Sequence, residues 1–374
     1  MEDDDFARRV HCVLGIPIDE ISMAGLVGHI HRAASARKPL FISTPNLNYL
    51  MLGQRDPAFR RSLLESDICP ADGVGVLLIC RLLGIPITSR VAGSDLPAAL
   101  QSSQTPAGDR PLRIAFFGGA PGVGARACAA INAGDAKRLV CIASIDPGEM
   151  TREKMVDPSY VEQINATDAD FLLVALGAQK GQAWLMGNRQ KITVPVVSHL
   201  GATLNFLART VRRAPAGLQK FGLEWLWRIV QEPYLAGRYL SDGARLLYLL
   251  LGRVAPLGLW LRWNKRGGSI QGLSVWLDTE QAGQIKVVIA GAARDEQLVP
   301  VVAAFRHAAQ TGDGITMDVR GLQFFGMGFA GQVLMMEKAA LKQNLPLAIA
   351  GASPSVVRAL GWCGLKHLLG EKAA

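Results

Sequence analysis

The sequence predicts an α/β protein: a Rossmann-like parallel-sheet domain, a basic helical appendage and a second, small α/β domain. Three observations predict it. The 374 residues exceed one ordinary domain, and 49% of them are hydrophobic, enough to fill two cores. Residues 1 to about 205 alternate short, continuous apolar runs with helical patterns, as expected of parallel strands buried on both faces. Nearly all of the +9 net charge falls in one segment: residues 209–266 hold eleven basic and three acidic residues.

The amino terminus, "MEDDDFARRV", is acidic and no apolar signal region follows it, so a cytoplasmic location is expected. Candidate strands follow in order: "PLFIST", "SDICPAD", "LRIAFFGG", "LVCIAS", "DFLLVALG" and "VPVVSHLG". Each ends in a small or polar residue. From Arg209 the pattern turns helical and basic. In "GLEWLWRIVQEP", Leu223, Leu226, Trp227 and Val230 share one helical face, and Pro233 is the expected stop. The next run, "LLYLLLGRVAPLGLWLRW", is broken by Arg253 and Pro256 before reaching the ~20 apolar residues of a spanning helix, so it reads as a segment lying on a membrane. "NKRGGS" reads as a linker. Beyond it, "LSVWLD", "IKVVIAG", "GITMDVR" and "LPLAIAG" are expected strands, interleaved with three helical stretches. The expected domains are therefore 1–208, 209–263 and 269–374.

Six cysteines form no C-x-x-C pair and sit in apolar contexts, which predicts reduced, buried thiols without a disulfide. The six histidines are scattered, and no structural metal is expected. The basic block suits phosphates, whether on nucleic acid, lipid headgroups or a diphosphate-linked substrate.

In open parallel sheets ligands bind beyond the carboxyl ends of the strands, which directs attention to the strand-ending motifs. "STPNLNYL" offers Thr44 and Asn46, and "ADGVGV" offers Asp72 beside Gly73. Each reads locally either as helix-cap and turn chemistry or as part of a site for a polar, anionic ligand. "RVAGSDL" places Arg90 upstream of a helix start at Ser94 or Asp95. "FFGGAPGVG" supplies Gly118 and Gly119 but neither G-x-G-x-x-G nor a P-loop, so it suits a nucleotide phosphate or a tight turn equally. Gln179 in "LGAQKGQAW" either orients a sugar hydroxyl or satisfies its own turn. Asp168-Ala169-Asp170 precedes its strand and so lies at the wrong edge.

Taken in order, "TPN", "ADGVGV", "RVAGSDL", "FFGG", "LGAQKGQAW", "HLGATLNFLA", "RRAPAGLQKFGLEWLWRIVQEP" and "RYL" resemble the WecG/TagA/CpsF glycosyltransferases, family 26, over most of residues 10–250. The resemblance implies an inverting, metal-independent enzyme without a cofactor, using a UDP-sugar as donor. Such an enzyme moves an N-acetylmannosamine-type sugar or hexose to a polyprenyl-diphosphate-linked acceptor for exopolysaccharide or another cell-surface polysaccharide. It implies Asp72 as general base and Thr44, Asn46 and Gln179 around the substrates; Gly73, Arg90, Gly118 and Gly119 join the expected substrate contacts from the anion-binding reading of their own turns. Arg213, Arg228 and Arg238 would meet the lipid diphosphate at an anionic membrane surface, with the protein peripheral on the inner face and no nucleic-acid partner. The chain departs from the family pattern where an acidic residue is missing from "AQKGQAW" and where Asn205 replaces a frequent Asp.

Residues 269–374 resemble a STAS domain, with Gly326 and Met327 in place of the acidic and phosphorylatable positions, which implies docking to a protein partner in place of a phosphorylation switch. The competing reading is a catalytically degenerate scaffold or regulator acting through that domain.

Overall fold

A computed structural model describes residues 4–103, 110–134, 138–210, 215, 217–218, 224–231, 236–266, 272–279 and 283–370. The chain opens with a hairpin, β1 (Val10–Val13) and β2 (Ile16–Asp19), then α1 (Met23–Ala36), β3 (Leu40–Ile42), α2 (Leu47–Gly53), α3 (Pro57–Leu64), α4 (Val74–Leu83) and α5 (Leu96–Ser102). It continues through β4 (Leu112–Gly118), α6 (Val123–Asn132), β5 (Leu139–Ile145), α7 (Arg152–Val156), α8 (Pro158–Ala166), β6 (Phe171–Ala175), α9 (Ala178–Asn188), β7 (Val196–His199) and α10 (Gly201–Leu207).

Five of the six expected strands form one parallel sheet, ordered β3-β7-β6-β4-β5. "SDICPAD" is the exception. It makes only isolated bridges, Asp19 to Pro70 and Ile42 to Ile68. Neighbouring residues of β4 point to opposite faces: Ile114 and Phe116 join one apolar layer, Ala115 and Phe117 the other. That double burial explains the unbroken apolar runs. The strand order reverses at β4, whose successors β5 and β6 lie on either side of it, so the crevice beyond β4 and β6 is a topological switch point.

The hairpin β1–β2 escaped the sequence reading. Its two-residue turn holds Leu14 and Gly15 at φ 53° and 80°, and a leucine is an unusual first residue for a left-handed turn. A further correction concerns the cysteines. Cys128 on α6 and Cys141 on β5 are joined by a disulfide, because α6 packs directly over β5; Cys12, Cys69, Cys80 and Cys363 are buried thiols as expected.

Three helical stretches follow: α11 (Glu224–Gln231), α12 (Ala236–Leu249) and α13 (Ala255–Arg266), the last two joined by a π-helical segment, Leu250–Val254. Arg253 and Pro256 therefore do not interrupt the helix. The π turn absorbs the residue that cannot donate a helical hydrogen bond, and Gly243–Lys265 is long and apolar enough, by length and composition, to cross a membrane.

The second domain comprises β8 (Ser274–Thr279), β9 (Gln284–Ala293), α14 (Val299–Thr311), β10 (Gly314–Asp318), β11 (Leu322–Phe325), α15 (Met327–Gln343), β12 (Leu347–Ala350) and α16 (Pro354–Cys363). Its sheet runs β11-β9-β10-β12, with β8 antiparallel to β9. Strand β11 is an addition to the four expected. Helix α15 is buried at thirteen of its seventeen positions, because α14 and Phe325 of β11, whose ring lies 5.9 Å from that of Phe329, cover part of it and the β1–β2 hairpin covers another. The approach is close: a Cβ on Gly331 would lie 2.0 Å from the Val10 carbonyl oxygen. One continuous apolar core accordingly holds residues from β1, α2, α4, α13, β9, α15 and α16.

Candidate active site

Three sequence motifs meet beyond the carboxyl end of β3. The Asp72 N–H donates to the Pro45 carbonyl at 3.0 Å, and Val91 N–H donates to Ala71 at 2.9 Å. These bonds set "TPN", "ADGVGV" and "RVAGSDL" side by side. The Asp72 carboxylate then accepts the Gly93 N–H at 3.3 Å. The packing around Gly93 is close: a Cβ there would lie 2.4 Å from Leu200 Cδ2 and 3.1 Å from Thr44 Oγ1. Thr44 is buried against this junction.

Asp72 does not cap its helix. The cap position of α4 belongs to Gly73, at φ 91°, and no side chain caps that helix. The carboxylate is thereby left half-buried at the sheet edge, while the space a Gly73 side chain would fill is open. Asn46 does cap: its Oδ1 accepts the Tyr49 N–H at 3.1 Å at the start of α2. Asn48 is exposed. Arg90 lies 3.6 Å from Asp95, which takes the helix-start position of α5 and forms this ion pair without capping through its side chain.

Gly118 and Gly119, both at positive φ, shape the exit of β4, and the Gly119 N–H donates to Ala175 at 2.8 Å. A Cβ on Gly118 would lie 2.7 Å from the Ala175 carbonyl oxygen, so the crevice wall between β4 and β6 admits only glycine there. Helices α6 and α9 begin at Gly122 and Gly177, again without side-chain caps. Uncapped amino termini of α4, α6, α9 and α10 thus gather at one sheet edge, where their N–H groups and dipoles favour a negatively charged ligand. Gln179 is exposed near the start of α9 and donates from Nε2 to Asp56 at 3.1 Å. Arg213, and the side chains of Arg228 and Arg238, lie outside the described residues. Asp170 sits at the opposite edge, held by Arg110 at 2.8 Å.

The residues the sequence reading missed are Tyr49, Gln182 and His199. Tyr49 and His199 are hydrogen-bonded through the phenol oxygen and Nδ1 at 2.6 Å. Burial pushes the Tyr49 phenol up and the His199 imidazole down to about 4, so both are neutral at pH 7. Gln182 is fully buried and donates to Ser43 Oγ at 2.8 Å. The signal for His199 was a polar residue inside an apolar run, "VVSHLG", where a lone histidine also reads as a satisfied core residue; Tyr49 and Gln182 sit in helical runs that carry no such signal.

Fold and site define an α/β enzyme of the parallel-sheet kind, its polar groups collected beyond the strand ends. The chain belongs to the WecG/TagA/CpsF glycosyl transferase family, whose model matches residues 11–257, and it is a glycosyltransferase. Residues 277–370 match a family model described as Mlab, STAS domain. Among the curated relatives is a protein of Bacillus spizizenii (strain ATCC 23059 / NRRL B-14472 / W23), 27% identical over 220 residues, covering 59% of this chain and 82% of the relative. Another, from Staphylococcus aureus (strain MRSA252), is 24% identical over 232 residues, covering 61% and 87%. Both are named N-acetylglucosaminyldiphosphoundecaprenol N-acetyl-beta-D-mannosaminyltransferase.

Proposed function

We propose that this glycosyltransferase moves an N-acetylmannosamine-type sugar or a hexose from a UDP-sugar to a polyprenyl-diphosphate-linked acceptor, with inversion and without a metal or cofactor. The observation that carries the reading is the Asp72 carboxylate, released from capping and set beside Thr44 and Gly93 at the ligand-binding edge. The names of the two relatives support the acceptor class.

In this reading Asp72 takes the proton of the acceptor hydroxyl as that oxygen attacks the anomeric carbon. The carbon-oxygen bond to UDP breaks in the same displacement, and the departing diphosphate meets uncapped helix termini and the basic segment. Arg213, Arg228 and Arg238 belong to that segment and would contact the lipid diphosphate. The exposed apolar side chains of α12 and α13, interspersed with arginines, support a peripheral position on the inner membrane face.

Asp72→Asn is expected to lower transfer roughly 10²- to 10⁴-fold while UDP-sugar binding stays near wild type. UDP release in the presence of N-acetylglucosaminyl-diphospholipid checks it. Wild-type turnover in the Asn variant would remove Asp72 from the mechanism.

A further inference from the structure

We propose that His199 binds the donor sugar, its Nε2–H donating a hydrogen bond to a hydroxyl or N-acyl oxygen of that sugar between the first turns of α9 and α10. The proposal rests on the transferase reading above and deepens it. His199 is the last residue of β7, at the carboxyl edge of the sheet, and is only 4% exposed. Its Nδ1 is held by the Tyr49 hydroxyl at 2.6 Å, while its Nε2 is buried and meets no hydrogen-bond partner among the described residues. Tyr49 is itself fixed, with Phe59 edge-on at 5.1 Å between ring centroids.

Two glycines make room for the ring. A Cβ on Gly181 would lie 2.0 Å from His199 Cδ2, and one on Gly201 would lie 3.4 Å from Nε2. Gly181 is in the first turn of α9, within the "AQKGQAW" run that departs from the family pattern, and Gly201 opens α10. The imidazole therefore occupies space that a side chain on either flanking helix would take. A desolvated ring nitrogen with no partner does not stabilise the fold, so its retention at the substrate edge points to a ligand.

The polarity of that ligand follows from the tautomer. In the proposed arrangement the Tyr49 hydroxyl donates to Nδ1 and the imidazole hydrogen sits on Nε2, the tautomer in which Nε2 is a donor. A neutral N–H donor suits a neutral sugar oxygen. The diphosphate is met in this reading by the uncapped helix termini and the basic segment.

The test uses the purified full chain with UDP-N-acetylmannosamine as donor and N-acetylglucosaminyl-diphosphoundecaprenol as acceptor, following UDP release. Glutamine can place an amide N–H where Nε2 lies; asparagine places it nearer Nδ1. His199→Asn and His199→Phe should raise the KM for donor about tenfold, the scale of one lost hydrogen bond, while His199→Gln stays within about threefold of wild type and kcat at saturating donor is largely kept. Tyr49→Phe keeps the packing and removes only the hydroxyl. It should raise the same KM about threefold or more, and it serves as the readout if the His199 variants do not fold. An unchanged KM in His199→Phe or in Tyr49→Phe, or equal damage in His199→Gln and His199→Phe, overturns the proposal. A wild type that releases no UDP from UDP-N-acetylmannosamine or from UDP-hexoses removes the UDP-sugar reading and this proposal with it, whereas an active wild type beside an unaffected Phe variant removes only the role of His199.

Discussion

Glu337 on α15 accepts two hydrogen bonds from Arg60 on α3, each 2.7 Å, and lies 2.9 Å from His367 Nε2. Burial raises its carboxyl pKa, but Arg60 and His367 outweigh that and hold it at about 2 against the ordinary 4.5. A depressed carboxylate contributes stability that is complete above pH 4.5 and is lost as the pH falls toward 2. Glu337→Gln should therefore be less stable by about 3 kcal/mol at pH 7, a gap that closes near pH 2. Denaturant unfolding at both pH values checks this, and a gap of constant size would show that packing, not the ion pair, is at stake. The same scale shows how far local chemistry is legible. Asn46 and Asp72 both read as caps in sequence, yet only Asn46 caps. Asp72 is one residue too early, and Gly73 adopts the positive φ that turns the chain into α4.

Among the elements, α12 and α13 carry the sharpest contrast between faces. Leu249, Val254, Leu257 and Leu261 are buried in the shared core, and Trp260 stacks on Phe324 at 5.4 Å. Leu247, Leu251, Leu259 and Trp263 are exposed at 56%, 66%, 66% and 83%. One face of this apolar helix is thus a core element, and the opposite face has no protein cover among the described residues. Replacing those four exposed side chains by serine should leave folding intact and weaken binding to anionic vesicles at least tenfold, given roughly 1.5–3 kcal/mol for each large apolar side chain buried. Vesicle flotation measures it; undiminished flotation would exclude this face as the membrane contact. The sequence revealed the apolar composition of the helix. It did not reveal its continuity, which depends on the π segment that accommodates Pro256.

Across the whole molecule, the second domain is fused to the first by packing and by charge. Lys338 is fully buried beside Asp5 at 2.6 Å and donates to the Ser66 carbonyl at 3.0 Å, while Arg306 pairs with Asp4. Gly258 of α13 lies against the end of α4, whose other end follows Asp72. Deleting residues 269–374 would strip cover from the β1–β2 hairpin and α4, so the truncated chain should lose stability and transfer activity together. Co-expressing residues 1–266 with 272–374 should restore a soluble complex, read by co-purification and UDP release. A truncated chain that stays soluble and fully active would mean that the two domains fold and work independently.

The parallel sheet, the second α/β domain and the motif order were legible along the chain, because burial on both faces imposes continuous apolar strands and strand ends must turn through small or polar residues. The sequence also singled out Thr44 and Asp72. Three-dimensional packing was needed to see which carboxylate is released from capping, how Cys128 meets Cys141, and why α15 is apolar nearly all round. Those outcomes depend on contacts between segments distant in the chain, such as Asp72 with Gly93, α6 with β5 and Gly331 with Val10, and no local pattern encodes such contacts.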